Sequence, residues 1–216
     1  MSKILVSPSI LSAEFANMGE GVKNVEKWGA DLVHCDVMDG VFVPNITFGM
    51  PMVKSLRKYT DLPFDVHLMI TEPEKYVGEF CDAGADIVTF HPDASKDVKR
   101  ALDIIKSKGK KCGLVLNPDK PLSLVEDYLE DIDMLLIMSV YAGFGGQKFI
   151  PDVLSKVREA KKMIEKTGRD IAIEIDGGVN TENIKEILDA GVTVVVAGSA
   201  VFKAENPSET VVKLRG

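Results

Sequence analysis

The sequence predicts a small (β/α)8 barrel, and three observations predict it. Eight short β-branched or aliphatic runs recur along the chain, with helical patterns between them. Three helix-to-strand joints echo one another: Gly29-Ala30-Asp31-Leu32-Val33, Gly84-Ala85-Asp86-Ile87-Val88 and Gly191-Val192-Thr193-Val194-Val195. Each ends a helix with Gly in the left-handed position and starts a strand at once. Finally, polar and special residues collect where strands end: Ser7 and Ser9, His34 and Asp36, His67, Ser139, Asp176, Gly198 and Ser199. A barrel gathers these at one mouth, whereas an open doubly wound sheet, the alternative, would scatter them.

The strands are expected, in order, over residues 4 to 8, 31 to 37, 63 to 69, 86 to 91, 111 to 116, 133 to 140, 171 to 176 and 193 to 197. The second carries His34-Cys35-Asp36 and the third Asp65-Val66-His67. Two-residue spacing puts both side chains of each pair on one face of its strand, which turns Cys35 the other way. The fourth ends Thr89-Phe90-His91-Pro92 and has no acid two residues before the histidine, so His91 is read as a hydrogen-bonded neighbour of the site. The seventh ends Glu174-Ile175-Asp176-Gly177-Gly178, and the eighth leads into Gly198-Ser199 and little more than one short helix.

At 216 residues, 45% hydrophobic and 27% charged, the chain can bury a full core, and no low-complexity stretch divides it, so one domain over 1–216 is expected. The net charge of -7 is spread along the sequence without a basic, aromatic-interleaved cluster, which argues against nucleic acid and anionic membrane as partners. The apolar run from Met1 to Pro8 is too short for a signal peptide, and no segment reaches the length of a membrane span; a cytosolic protein is expected. Cys35, Cys81 and Cys112 are odd in number and set in apolar surroundings, the pattern of reduced core thiols.

Apolar strands tolerate polar residues on a buried face only when these are paired, hydrogen-bonded or metal-bound. Any one of His34, Asp36, His67 and Asp176 would read as a satisfied polar residue. As a set on three strands of one barrel, they bring imidazole nitrogens and carboxylate oxygens to a point where a divalent cation could bind and where acid could face base. After strands seven and eight, Gly177-Gly178 and Gly198-Ser199 open the backbone to a phosphate, the usual barrel position for one. Strand six leads into Tyr141-Ala142-Gly143-Phe144-Gly145-Gly146-Gln147, whose glycines can add N–H donors and hinge a lid. It lacks the Gly-Lys-Ser/Thr ending of a nucleotide-hydrolysing loop. Met38, Met69 and Met138 fall at or near strand ends; the first two could wall a carbanion from water, while Met138 reads as core filling.

These motifs resemble the ribulose-phosphate 3-epimerase family of ribulose-phosphate-binding (β/α)8 barrels over nearly the whole chain. The resemblance rests on Ser7-Pro8-Ser9-Ile10-Leu11-Ser12-Ala13, on the highly specific run from His34 to Asn45, on Asp65 to Met69, Gly143 to Gln147, Asp176 to Val179 and Gly198 to Ala200. It implies that His34, Asp36, His67 and Asp176 bind one divalent ion per subunit, zinc, iron, manganese or cobalt. It implies further that Asp36 and Asp176 are the acid/base pair, that Ser9, His67, Asp176, Met38, Met69 and Met138 line the sugar, and that Gly143, Phe144, Gly145, Gly146, Gly177, Gly178, Gly198 and Ser199 hold its phosphate. The implied reaction interconverts D-ribulose 5-phosphate and D-xylulose 5-phosphate by two-base proton transfer at C3 through a cis-enediolate. At Tyr141-Ala142 the chain departs from the family, which has a proline before Gly-Phe; allulose 6-phosphate is therefore the nearest alternative substrate. A non-catalytic sugar-phosphate-binding barrel is the alternative of another class. A homo-oligomer is expected from barrels of this size.

Overall fold

The computed structural model describes residues 3–216; Met1 and Ser2, which head the short N-terminal run, lie outside them. Eight parallel strands are present: β1 (Leu5–Ser7), β2 (Val33–Met38), β3 (Phe64–Met69), β4 (Ile87–Phe90), β5 (Lys111–Leu116), β6 (Met134–Met138), β7 (Ala172–Asp176) and β8 (Val194–Val196). The helices are α1 (Met18–Lys27), α2 (Met50–Leu56), α3 (Val77–Ala83), α4 (Val98–Ser107), α5 (Val153–Thr167), α6 (Ile184–Ala190), α7 (Ser199–Phe202) and α8 (Pro207–Lys213). Strand order is β1-β8-β7-β6-β5-β4-β3-β2, all neighbours parallel. This is the predicted (β/α)8 barrel. The eight strands lie where the sequence places them, to within a few residues at their ends.

Two connections differ from expectation. Between β5 and β6 the chain makes two single-turn 3-10 helices, Leu122–Leu124 and Glu126–Tyr128, where a helical pattern was read. Pro118 and Pro121 fall in this short link and deny it the backbone donors a longer helix needs. After β8 there are two short helices, not one: the Asn206 side chain caps the Glu209 N–H and Pro207 opens a fresh first turn.

The base of the barrel repeats one device. A residue one or two positions before each even-numbered strand accepts a backbone N–H from the odd-numbered strand before it: Asp31 from Val6 at 3.0 Å, Asp86 from Phe64 at 3.0 Å, Asp133 from Cys112 at 3.0 Å and Thr193 from Ile173 at 3.0 Å. The sequence echo of the three helix-to-strand joints thus marks three of the four like clasps around the ring, Asp133 being the one without it. The first clasp matters most, because β1 and β2 share no ladder; they join through the Asp31 clasp, the Asp31 and Leu32 N–H groups on the Val6 carbonyl, and a single bridge, Ser9 to His34. Asp31 also holds Lys3 Nζ and Arg215 Nη2, each at 2.7 Å.

Alternation sorts each strand into two faces. Outward residues such as Cys35, Val66, Phe90, Leu114, Ile137 and Ile175 pack with Val22, Phe80, Leu102, Val157 and Ile187 of the helices in one apolar shell. The inward residues stack in layers. Leu32, Ile87, Met134 and Val194 plug the base. Above them lie Ser7, His34, Asp65, Thr89 and Glu174, all buried, and then the mouth. The three cysteines are free and buried, as expected for core thiols. Among the described residues no helix is long and apolar enough to cross a membrane.

Candidate active site

Strand register builds the site. β2 and β3 pair His34 with Asp65 and Asp36 with His67, so acid and imidazole alternate across the ladder in two successive layers. On the other side β6 and β7 pair Met138 with Asp176, and the bridge that closes the barrel delivers Ser9 to His34. Four atoms, one each from His34, Asp36, His67 and Asp176, lie within 4.8 Å of one another. His34 Nε2 stands 3.4 Å from Asp36 Oδ1 and 4.0 Å from Asp176 Oδ2, and His67 Nδ1 stands 3.4 Å from the same Asp36 oxygen. Ser9 Oγ donates to the other Asp36 oxygen at 2.5 Å.

The two imidazoles are held from behind. His34 Nδ1 donates to Asp65 at 2.7 Å, leaving Nε2 toward the cup. His67 Nε2 meets His91 Nε2 at 3.0 Å, leaving Nδ1 toward the cup. His34 Nε2 and His67 Nδ1 are both buried without a hydrogen-bond partner. Burial and the nearby His67 push the His91 proton affinity well below the usual imidazole range, so His91 is neutral and accepts from His67. Burial likewise lowers His67, against the opposing pull of Asp36. A neutral His67 then aims a lone pair at a carboxylate oxygen, and two such acceptors repel unless a cation lies between them. Burial also opposes charge on His34, but Asp65 and Asp36 outweigh it and raise its proton affinity well above normal. The cup therefore calls for positive charge, and its two nitrogens and two carboxylates suit a divalent ion of the zinc, iron, manganese or cobalt kind.

The two carboxyls of the cup differ. Burial would raise Asp36, yet His34 and His67 overcome it and hold it far below the carboxylate range. For Asp176, burial and then the Asp36 charge push it up to about 7. One layer lower, burial and the Asp65 charge raise Glu174 well above normal, so its carboxyl retains a proton beside the Asp65 carboxylate. That one proton can serve one Glu174 oxygen and one Asp65 oxygen; the second Glu174 oxygen is left without a donor. Sequence reading saw the spacing of Asp65 with His67 and of Glu174 with Asp176 but gave neither acid a role. The spacing was the available signal.

Above the cup a single cavity is lined by Ser9, Asp36, Met38, Met69, Met138, Gly143, Phe144, Gly145, Gly146, Asp176, Gly177, Gly178, Gly198 and Ser199. His34 and His67 lie at its floor, fully buried. Met38 and Met69 pack with Val43 at one wall, and Met138 with Val115 and Leu136 at another. Ser12, Val140 and Tyr141 also line the cavity and were not singled out as lining residues by the sequence. At its far end the backbone N–H groups of Gly145, Gly146, Gly178, Gly198 and Ser199 donate to no protein acceptor among the described residues. Gly178, at φ +65, lies so close to the segment joining β6 to α5 that a Cβ would stand 2.5 Å from Phe149 N, and one on Gly198 would stand 2.5 Å from Ser12 Oγ. Both positions exclude a side chain, which leaves the amides open to an anion.

The fold and the cup together define a (β/α)8 barrel with a candidate metal centre at the C-terminal ends of its strands and an anion cradle beside it. The chain belongs to the ribulose-phosphate 3 epimerase family, whose sequence profile matches residues 5–202. It is 49% identical over 214 residues to ribulose-phosphate 3-epimerase of Bacillus subtilis (strain 168), covering 99% of each chain. The enzyme of that name from Escherichia coli (strain K12) is 48% identical over 216 residues, with 100% of this chain and 96% of that one covered. Among solved structures, 3-hexulose-6-phosphate synthase from Salmonella typhimurium superposes with a TM-score of 0.72 at 20% identity, covering 98% of this chain and 97% of that one, a likeness of fold.

Proposed function

We propose that this protein is a metal-dependent epimerase that interconverts D-ribulose 5-phosphate and D-xylulose 5-phosphate by inverting C3. The observation that carries the reading is the cup itself: two carboxylates and two unpartnered imidazole nitrogens meet within 4.8 Å beneath a cavity whose far end offers free glycine amides. The names of the curated relatives, at about half identity over the full chain, support the substrate. Inversion next to a ketone needs a proton taken from one face and another returned to the opposite face, so two acid/base groups must flank the carbon. Asp36 and Asp176 are those groups. One removes the C3 proton, giving a cis-enediolate, and the other delivers a proton from across the plane; in the reverse direction the roles exchange. Ser9 holds Asp36 in place through its 2.5 Å hydrogen bond. The glycine amides bind the phosphate and fix C3 between the two aspartates, and Met38, Met69 and Met138 keep water from the carbanionic carbon. His34, Asp36, His67 and Asp176 would hold a divalent ion, which when bound would supply positive charge for the developing oxyanion, a contribution of several kcal/mol. The buried free cysteines support a cytosolic location; self-association is proposed from the size of the barrel alone.

The test is proton NMR of ribulose 5-phosphate with the purified protein in D2O. Deuterium entering C3, xylulose 5-phosphate appearing, and both stopping on addition of a chelator are the expected results. A C3 that stays protonated sinks the pentulose reading and passes the same test to allulose 6-phosphate. Silence there points to a binding protein.

A further inference from the structure

The segment that roofs the cavity is fastened at both its ends to one short loop. After β5 the chain runs Asn117-Pro118-Asp119-Lys120. Lys156, in the first turn of α5, donates from Nζ to the carbonyl oxygens of Asn117 at 3.0 Å, Pro118 at 2.8 Å and Lys120 at 2.6 Å. Those are all three protons of the ammonium group. The Asn117 side chain in turn accepts the N–H of Ala142 at 3.1 Å. Ala142 immediately precedes Gly143, and Lys156 follows the roof where it enters the helix. Residues 142–156 therefore leave from and return to the same loop. Within the roof, Gln147 Nε2 closes the turn on the carbonyls of Tyr141 at 2.7 Å and Phe144 at 2.9 Å, so what happens at Ala142 is passed on to the glycines.

We infer that Asn117 and Lys156 are positioning residues that set the height of the glycine segment over the phosphate end of the cavity, and so tune substrate affinity without taking part in proton transfer. This rests on the epimerase reading given above. Neither residue lines the cavity. A lysine ammonium is a compact charge able to gather several carbonyls at once; removing it leaves the Pro118 and Lys120 carbonyls unpaired, while the Asn117 carbonyl keeps the Lys120 N–H, and loosens the loop. The drift reaches the roof through the Asn117 to Ala142 bond. Amides that must meet a phosphate oxygen at hydrogen-bond distance lose most of their effect when displaced by about 1 Å.

The experiment compares Asn117→Ala, Lys156→Met and the double variant with the wild type, in turnover of ribulose 5-phosphate and in amide hydrogen exchange. For Asn117→Ala we expect KM to rise about tenfold, the scale of one hydrogen bond, with kcat within about twofold of wild type. Exchange should quicken over residues 142–147 while the strands keep their protection. Lys156→Met should move the same quantities in the same direction, and the double variant should fall short of the product of the two, since both act through one loop. Unchanged KM in Asn117→Ala, a loss confined to kcat, or exchange that quickens only over 117–120 overturns the proposal. Should Lys156→Met fail to fold, Asn117→Ala decides alone. Should the wild type not turn over the sugar phosphate, the epimerase reading has failed, and the exchange pattern still decides whether this loop holds the roof.

Discussion

The outward and inward faces of the same eight strands follow opposite rules. Outward, Cys35, Val66, Phe90, Leu114, Ile137 and Ile175 pack in one apolar cluster with helix side chains, the kind of contact that best tolerates a swap of like volume. Inward, at the middle and mouth of the barrel, stand His34, Asp36, Asp65, His67, Thr89, Glu174 and Asp176. The buried polar atoms without a partner tell the same story: among the described residues, those of His34, Asp65, His67, Thr89, His91 and Glu174 lie inside the barrel or at its mouth, and only Arg215 Nε lies elsewhere. The shell holds the barrel together; the interior carries groups that folding alone would not favour, and those at the mouth are ones that a cation and a substrate would satisfy.

Four perturbations separate the two regions. Replacing an interior acid should cost most: Asp36→Asn or Asp176→Asn is expected to lower kcat by at least about 10³-fold, while the thermal midpoint stays near that of wild type. Near-normal turnover in either would end the two-base scheme. Next comes the shell, where Phe80→Ala should destabilise by about 3–5 kcal/mol in urea titration yet leave kcat of the folded fraction unchanged. A drop in kcat there would show that shell and interior are not separable.

Smaller effects sharpen the line between layers of the interior. Removing the acceptor behind His34 with Asp65→Ala should weaken zinc or cobalt binding about 10- to 100-fold by chelator competition, and Asp65→Asn, which keeps an acceptor for Nδ1, should recover part of it. Equal affinities in the three proteins would reduce Asp65 to packing. Smallest is the clasp at the base. Burial would raise the Asp31 carboxyl, but Lys3, the Val6 N–H and Arg215 outweigh it and hold it below the ordinary value. Its stabilisation is thus complete above the unfolded pKa of about 4 and is lost as pH falls through the lower folded value. Asp31→Asn should cost roughly 1–2 kcal/mol at pH 7 and nearly nothing at the acid end, with activity unaffected; a difference that does not shrink on acidification would discount the ion pairs.

Much of this was legible in the sequence because its causes are local. The Gly-Ala-Asp echo announced strand starts, and two-residue spacing announced that His34 and Asp36 share a face. The link between β5 and β6 misled, since the apolar spacing of Leu122, Leu124 and Val125 imitates a helix while Pro118 and Pro121 forbid a long one. Asp65 and Glu174 carry the same spacing as the mouth residues but sit one layer down, and depth inside a barrel depends on register between strands, which no single strand encodes. Asn45 and Asn117 were unreadable for a different reason. Their partners are backbone groups, the carbonyl of Gly143 and the amide of Ala142, and a backbone group has no signature in composition.

One carboxylate at the base has a consequence for how the chain could be recut. Asp31 grips Lys3 and Arg215 together, each at 2.7 Å, so the two ends of the described fold are moored to the same side chain. A short linker could splice them, and the chain could then be reopened at another helix-to-strand turn on the same rim. In such a rearranged protein β1 and β2 would follow one another through an interior segment like any other pair, and the ring would have no privileged starting strand.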